Sequence, residues 1–145
     1  MRDSPFSQDG RAGVYRQPAV DVRALATAAS HLHFILLSAD LSAAKTLVGA
    51  LGKLGEALHF PEWYGGNLDA LHDCLTDSDW QGPDNSKGVI VALTGLDALR
   101  SRHPGDFTRL IEVLQSACET WRHDGFPFWV LVETGDTALP LLPAA

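Results

Sequence analysis

Three short, unbroken apolar runs stand out along the chain: Phe34-Ile35-Leu36-Leu37, Val89 to Leu93 and Phe128 to Val132. Each has the length of a strand, and continuous rather than alternating apolar residues are the pattern of parallel strands covered on both faces. Between them the apolar positions recur at helical spacing. Leu47, Leu51, Leu54 and Leu58 share one face of a helix capped at Asp40 or Ser42. Its Gly49, Gly52 and Gly55 each cost up to ~1 kcal/mol relative to Ala unless they admit a close neighbour. Pro61 ends that helix, because the residue before a proline avoids helical angles. Trp63-Tyr64-Gly65-Gly66 reads as a loop, and Asn67 as the N-cap of a helix running to about Asp77. Trp80 to Ser86 is a turn-rich connector. Asp97 starts a short helical stretch that Pro104 interrupts. A long helix follows, burying Phe107, Leu110, Ile111, Leu114, Ala117, Cys118 and Trp121, with Gly125 as its C′ residue.

The ends are less regular. Residues 1 to 30 read as an N-terminal extension, partly disordered, in which Val14-Tyr15-Arg16 can form a short strand. A helix can start from an Asp21 cap, with Val22, Leu25, Ala26 and Ala29 at its spacing. Residues 31 to 136 form the main domain, and residues 137 to 145 a tail, of which the proline-bearing Leu139 to Ala145 is an appendage. Strands alternating with helices give an α/β fold: a small parallel sheet of about three strands packed with helices in two or three layers.

Composition adds little until charge is mapped. With 145 residues and 46% hydrophobic content the chain suits one compact domain. No stretch approaches the ~18 apolar residues of a membrane span. The Met1-Arg2-Asp3-Ser4-Pro5 start lacks a secretory signal, so cytoplasmic residence is expected. Cys74 and Cys118 read as small core residues. Charge changes the picture. Between Lys53 and Lys87 lie Glu56, Glu62, Asp69, Asp73, Asp77, Asp79 and Asp84, with no Lys or Arg among them. These seven acids equal the net charge of −7, so the remainder of the chain is formally neutral. Because the run also contains Phe60, Trp63, Tyr64, Leu68, Leu71, Leu75 and Trp80, it is a structured negative surface, suited to a cationic partner. Direct nucleic-acid binding is disfavoured, since phosphates would be repelled.

At 3.6 residues per turn, Leu68, Leu71 and Leu75 share the core face of the Asn67 helix. Asp69, Asp73 and Asp77 lie nearly opposite, with Thr76 beside them and His72 on the shoulder. Like charges at i, i+4 cost roughly 0.2–0.5 kcal/mol per pair, and no basic residue relieves them. The plain alternative is the wet side of a surface helix. Against it stand the breadth of the cation-free window, the neighbouring Trp63 and Tyr64, residue types favoured as interface anchors, and the paired Gly65-Gly66. An enzymatic reading is weak. Asp69 and Asp73 do not flank a bond across a cleft as glycosidase carboxylates do. Cys74 and His72, two apart, point to different sides of a helix. A divalent cation would want ligands converging from several directions. The remaining histidines, His31, His33, His59, His103 and His123, are scattered and read as surface or half-buried residues.

The stretch Phe60-Pro61-Glu62-Trp63-Tyr64-Gly65-Gly66-Asn67-Leu68-Asp69-Ala70-Leu71-His72-Asp73-Cys74-Leu75-Thr76 resembles the signature of the barstar family, intracellular inhibitors of secreted barnase-type ribonucleases. The likeness extends more loosely over residues 33 to 133. Val113-Leu114-Gln115 followed by Glu119 is similar to the family's last helix, and the N-terminal residues are additional to the short inhibitor. The resemblance implies a barstar-like fold, no enzymatic activity, no cofactor and no metal. It also implies a monomer that plugs a ribonuclease active site with carboxylates in place of substrate phosphates. By position, Asp73 becomes the central carboxylate and Asp69 pairs with a neighbouring basic residue. Trp63 becomes the aromatic that packs on the nuclease histidine, Thr76 supplies a hydroxyl and Glu119 is the outlying acid. Tyr64, Gly65, Asn67, His72 and Asp77 complete the expected contact set. Trp63 stands where the best-known member has tyrosine, His72 where it has tryptophan and Gly66 where it has glutamate. Those departures keep a second reading open: a barstar-like interaction or immunity module binding another basic protein or toxin without inhibiting a ribonuclease.

Overall fold

The structure is a computed structural model that describes residues 5–7, 9–62, 64–77 and 86–142. After two short 3₁₀ turns, the order is β1 (Val14–Gln17), α1 (Val22–Leu32), β2 (Phe34–Asp40), α2 (Leu47–Ala57) and α3 (Leu68–Leu75). β3 (Gly88–Thr94), α4 (Asp97–Arg102), α5 (Pro104–His123) and β4 (Phe128–Glu133) follow. The three anticipated strands are present, and a fourth joins them. All pairings are parallel, in the order β1-β4-β3-β2. Val14–Gln17 supplies the extra edge, with Val14 opposite Val130 and Gln17 opposite Glu133.

Alternation along the inner strands sorts their side chains onto two faces. Val89, Val91, Leu93, Phe128, Val130 and Val132 pack with residues of α2, α3 and α5, among them Leu51, Leu54, Leu71, Leu75, Leu110 and Leu114. Ile90, Ala92, Trp129 and Leu131 pack with Phe6 and with Leu25 and Ala29 of α1. The path explains this division. The β1-to-β2 crossover runs from one edge to the other, whereas the later crossovers step back one strand at a time. Crossovers of one hand in opposite directions must use opposite faces. The result is three layers, with β3 and β4 covered on both sides, which is why both read as continuous apolar runs.

Local chemistry fixes the element ends. Asp21 caps α1 by accepting from the Ala24 N–H at 3.1 Å. For α2 the cap is Thr46, whose Oγ1 accepts from the Gly49 N–H at 3.1 Å, rather than Asp40 or Ser42. Asp40 instead turns the chain after β2 by accepting from the Ser42 N–H at 3.0 Å, the other use an Asp side chain has at an element end. Gly125 follows α5 with φ 76°, as its C′ position requires. The stretch read as an appendage is tied in as far as Leu142. Leu139 is buried, the Arg16 N–H donates to the Pro140 carbonyl at 2.6 Å, and the Leu142 N–H donates to the Arg16 carbonyl at 3.2 Å. Among the described residues, no helix is long and apolar enough to cross a membrane.

Candidate functional site

The acidic helix α3 is positioned from three directions. At its start, Asn67 Oδ1 accepts from the Ala70 N–H at 2.8 Å, the expected cap. Along its inner face, Leu71, Cys74 and Leu75 are fully buried. Along its flank, two bonds tie it to α5. The Trp121 indole donates to the Leu75 carbonyl at 2.8 Å, and His72 Nε2 lies 3.1 Å from the Ser116 hydroxyl. α3 ends at Leu75, two residues short of the expected Asp77, with Thr76 as its C-cap.

The loop ahead of α3 is clamped to α2. The Tyr64 hydroxyl donates to the Leu51 carbonyl at 2.9 Å, and its ring meets Phe60 edge-on with centroids 4.9 Å apart. Burial pushes the Tyr64 phenol up to about 12. Gly55 makes this possible, since a Cβ there would sit 2.7 Å from the Tyr64 ring. Of the three α2 glycines, this is the one that admits a close ring. Gly66, at φ 70°, occupies the left-handed region that favours glycine. Tyr64 therefore holds the loop rather than standing free as an anchor. Trp63, the other expected aromatic, lies outside the described residues, as do residues 80–85 of the connector.

With α3 and the loop fixed, Asp69 and Asp73 project into solvent and both are exposed. Asp69, in the first turn, gains from the helix N-terminus. Arg100–Asp97, Arg109–Asp106 and Arg122–Glu119 are ion-paired. None of these pairs reaches Asp69 or Asp73, and neither carboxylate is ion-paired to a described cation. The field of the stripe is felt inward: burial, then the charges of Asp77 and Asp73, hold the Cys74 thiol above its usual range. Cys74 and Cys118 are both buried free thiols, as expected for core residues.

The outlying positions are less open. Thr76 Oγ1 donates to the His72 carbonyl at 2.8 Å, leaving its lone pairs rather than its proton for a partner. Glu119 is exposed on α5, one turn beyond the Ser116 that meets His72, but Arg122 lies 3.8 Å from its carboxylate. Arg122 is held in turn by the N-terminal segment, donating to the Ala12 carbonyl at 2.9 Å. Neither Ser116 nor Arg122 stood out in the sequence, because nothing local marks a contact 44 or 110 residues away.

The geometry is thus a rigid, solvent-facing pair of carboxylates on a capped helix, beside a clamped loop. A search of curated proteins finds none that matches the chain. The family model described as Barstar (barnase inhibitor) matches residues 34–133, from the first residue of β2 to the last of β4, enclosing α3 and every residue of the site. Covering well over half of the sequence and the whole acidic surface, that match shows that the chain belongs to the barstar family.

Proposed function

We propose that this protein inhibits a ribonuclease by inserting Asp69 and Asp73 where the enzyme's cationic cleft holds substrate phosphates. The observation that carries this reading is that two exposed carboxylates stand four residues apart on α3 with no ion pair to the described cations of their own chain. Carboxylates suit the task because charge-assisted, bidentate contacts to arginine are short and strong. Asp73, central on the face, takes the phosphate-binding arginines and Asp69 a neighbouring cation. Tyr64, Gly65 and Asn67 set the loop, and Trp63 provides the aromatic contact. Glu119 contributes less than either aspartate, since Arg122 already partly neutralises it.

One observation favours a second reading, in which the same face binds another basic protein or toxin without inhibition. His72 stands where the best-known family member has tryptophan, and its ring is engaged with Ser116. Calorimetric titration of a barnase-type ribonuclease at low and high salt, with its nuclease activity assayed in parallel, separates the two. Inhibition requires binding that weakens with salt, as Coulombic contacts between partly exposed charges do. Asp73→Asn and Asp136→Asn remove the same charge, and only the first should weaken the complex. Equal behaviour of both variants and the wild type would overturn the assignment. Salt-sensitive binding with undiminished nuclease activity would favour the second reading.

A further inference from the structure

Beside the acidic face, a groove of about 540 Å³ runs between the outer side of α2 and the loop leading into α3. Gly52, Gly55, Glu56 and His59 form one wall; Phe60, Pro61, Tyr64, Gly65 and Gly66 form the other. Two of these residues break the local rules of their own element. Gly52 sits exposed in the middle of α2, where glycine is the poorest helix former after proline. Unlike Gly55, it is not needed by internal packing, because a Cβ there would meet nothing within 4 Å. His59 keeps a side chain at φ 57°, a left-handed position that glycine adopts at no steric cost. Departures from local preference with no internal compensation concentrate where a surface is shaped for something else.

The charge at the groove indicates what that is. Glu56 lines it, and Glu62 follows its Pro61 in the chain; both are exposed and neither is ion-paired among the described residues. Lys53, the nearest Lys or Arg along the chain, makes no ion pair with either; its charge is felt at Asp40, whose carboxyl is held low first by its hydrogen bonds with Ser42 and then by Lys53. An aromatic wall facing a glycine-bearing one, with the Glu56 carboxylate beside them, suits a long cationic side chain. Arginine fits best, because its planar guanidinium stacks on rings and binds a carboxylate through two bonds.

We infer that this groove receives an arginine side chain from the same basic partner that α3 engages, extending the interface onto α2. The inference rests on the inhibitor reading, and the two surfaces are continuous through Gly65 and Gly66, which line the groove and lead directly into Asn67 and Asp69. Gly52 and Glu56 are then specificity residues, and a nuclease lacking the matching arginine binds less well.

Gly52→Leu, which fills the groove, and Glu56→Gln, which removes its charge, test this against a barnase-type ribonuclease, with thermal unfolding measured in parallel. Gly52→Leu should melt no lower than wild type while weakening binding at least tenfold; a purely structural residue would lose stability and binding together. Glu56→Gln should weaken binding about three- to tenfold and flatten its salt dependence, and it remains decisive if Gly52→Leu folds poorly. If both variants bind as wild type while Asp73→Asn is impaired, the groove is not part of the interface and the α3 reading stands. If wild type does not bind the nuclease, both fall.

Discussion

Substituting alanine at Gly55 and at Gly52, three residues apart on one helix, should change stability in opposite directions. At Gly52 a methyl group meets nothing within 4 Å. The substitution then delivers only the helix-propensity gain of up to about 1 kcal/mol, which raises Tm by about 2–4 °C in a chain of this size. At Gly55 the new Cβ would lie 2.7 and 2.9 Å from two carbons of the Tyr64 ring, against an ordinary carbon–carbon contact of about 3.5–4.0 Å. The ring must retreat by most of an ångström, and its hydroxyl then leaves the Leu51 carbonyl it bonds at 2.9 Å. Overpacking costs about 1–3 kcal/mol, and the lost hydrogen bond about 1 kcal/mol. Offset by the same helix gain, the net is a destabilisation of about 1–3 kcal/mol. Differential scanning calorimetry on the two variants reads the sign directly. Because Tyr64 carries the loop into α3, Gly55→Ala should also weaken binding of a barnase-type ribonuclease. Equal stabilisation by both substitutions would show that Tyr64 does not pack on α2 and that the clamp is wrong.

Three further outcomes follow from particular contacts. Asp73→Asn should leave stability unchanged or raise it by roughly 0.2–0.5 kcal/mol in urea unfolding, since it relieves a like-charge pair with Asp69 at i, i+4; a clear loss of stability would mean that Asp73 has an internal partner. Phe6→Ala removes the ring that meets Trp129 edge-on at 5.0 Å and should cost about 3–5 kcal/mol, the range for a buried phenylalanine. Unfolding near the wild-type midpoint would show that the N-terminal segment does not cover the second face of the sheet. Asp97 bonds the Arg100 side chain at 2.8 Å, the Thr134 hydroxyl and the Gly135 N–H, and these contacts pull its carboxyl down to about 2 from 3.8. A depressed folded-state value means stability that is present above about pH 4 and lost as pH falls toward 2. Asp97→Asn should therefore flatten the stability–pH curve in that window, and an unchanged acid limb would refute it.

What could be read from the sequence, and what could not, divides by the range of the interactions concerned. Asn67, Gly125 and the apolar runs of β3 and β4 act through neighbours a few residues away, so spacing alone located them. β1 was visible as a short strand at Val14–Arg16, but its place beside β4 depends on Val14 meeting Val130, which no local pattern encodes. The sheet was therefore expected to have about three strands rather than four. The attachment of the tail is hidden from the sequence for the same reason: its partner is the backbone of Arg16. The expected α2 cap, Asp40 or Ser42, differs from the observed Thr46 because Asp serves turns and helix ends by the same side-chain bond. In the site, Asp69 and Asp73 were legible because helical periodicity places them opposite a leucine face. The role of Tyr64 was not, since Trp63 and Tyr64 are equally plausible anchors until Gly55 is seen beneath one of them. Of the α2 glycines, Gly55 carries that signal, as a residue that admits a close neighbour.

Initial-rate kinetics of a barnase-type ribonuclease on RNA, with this protein as inhibitor, test substrate mimicry most directly. Inhibition should be overcome by rising substrate, lost in Asp73→Asn and retained in Asp136→Asn. Inhibition indifferent to substrate concentration, or equal in the two variants, would contradict mimicry.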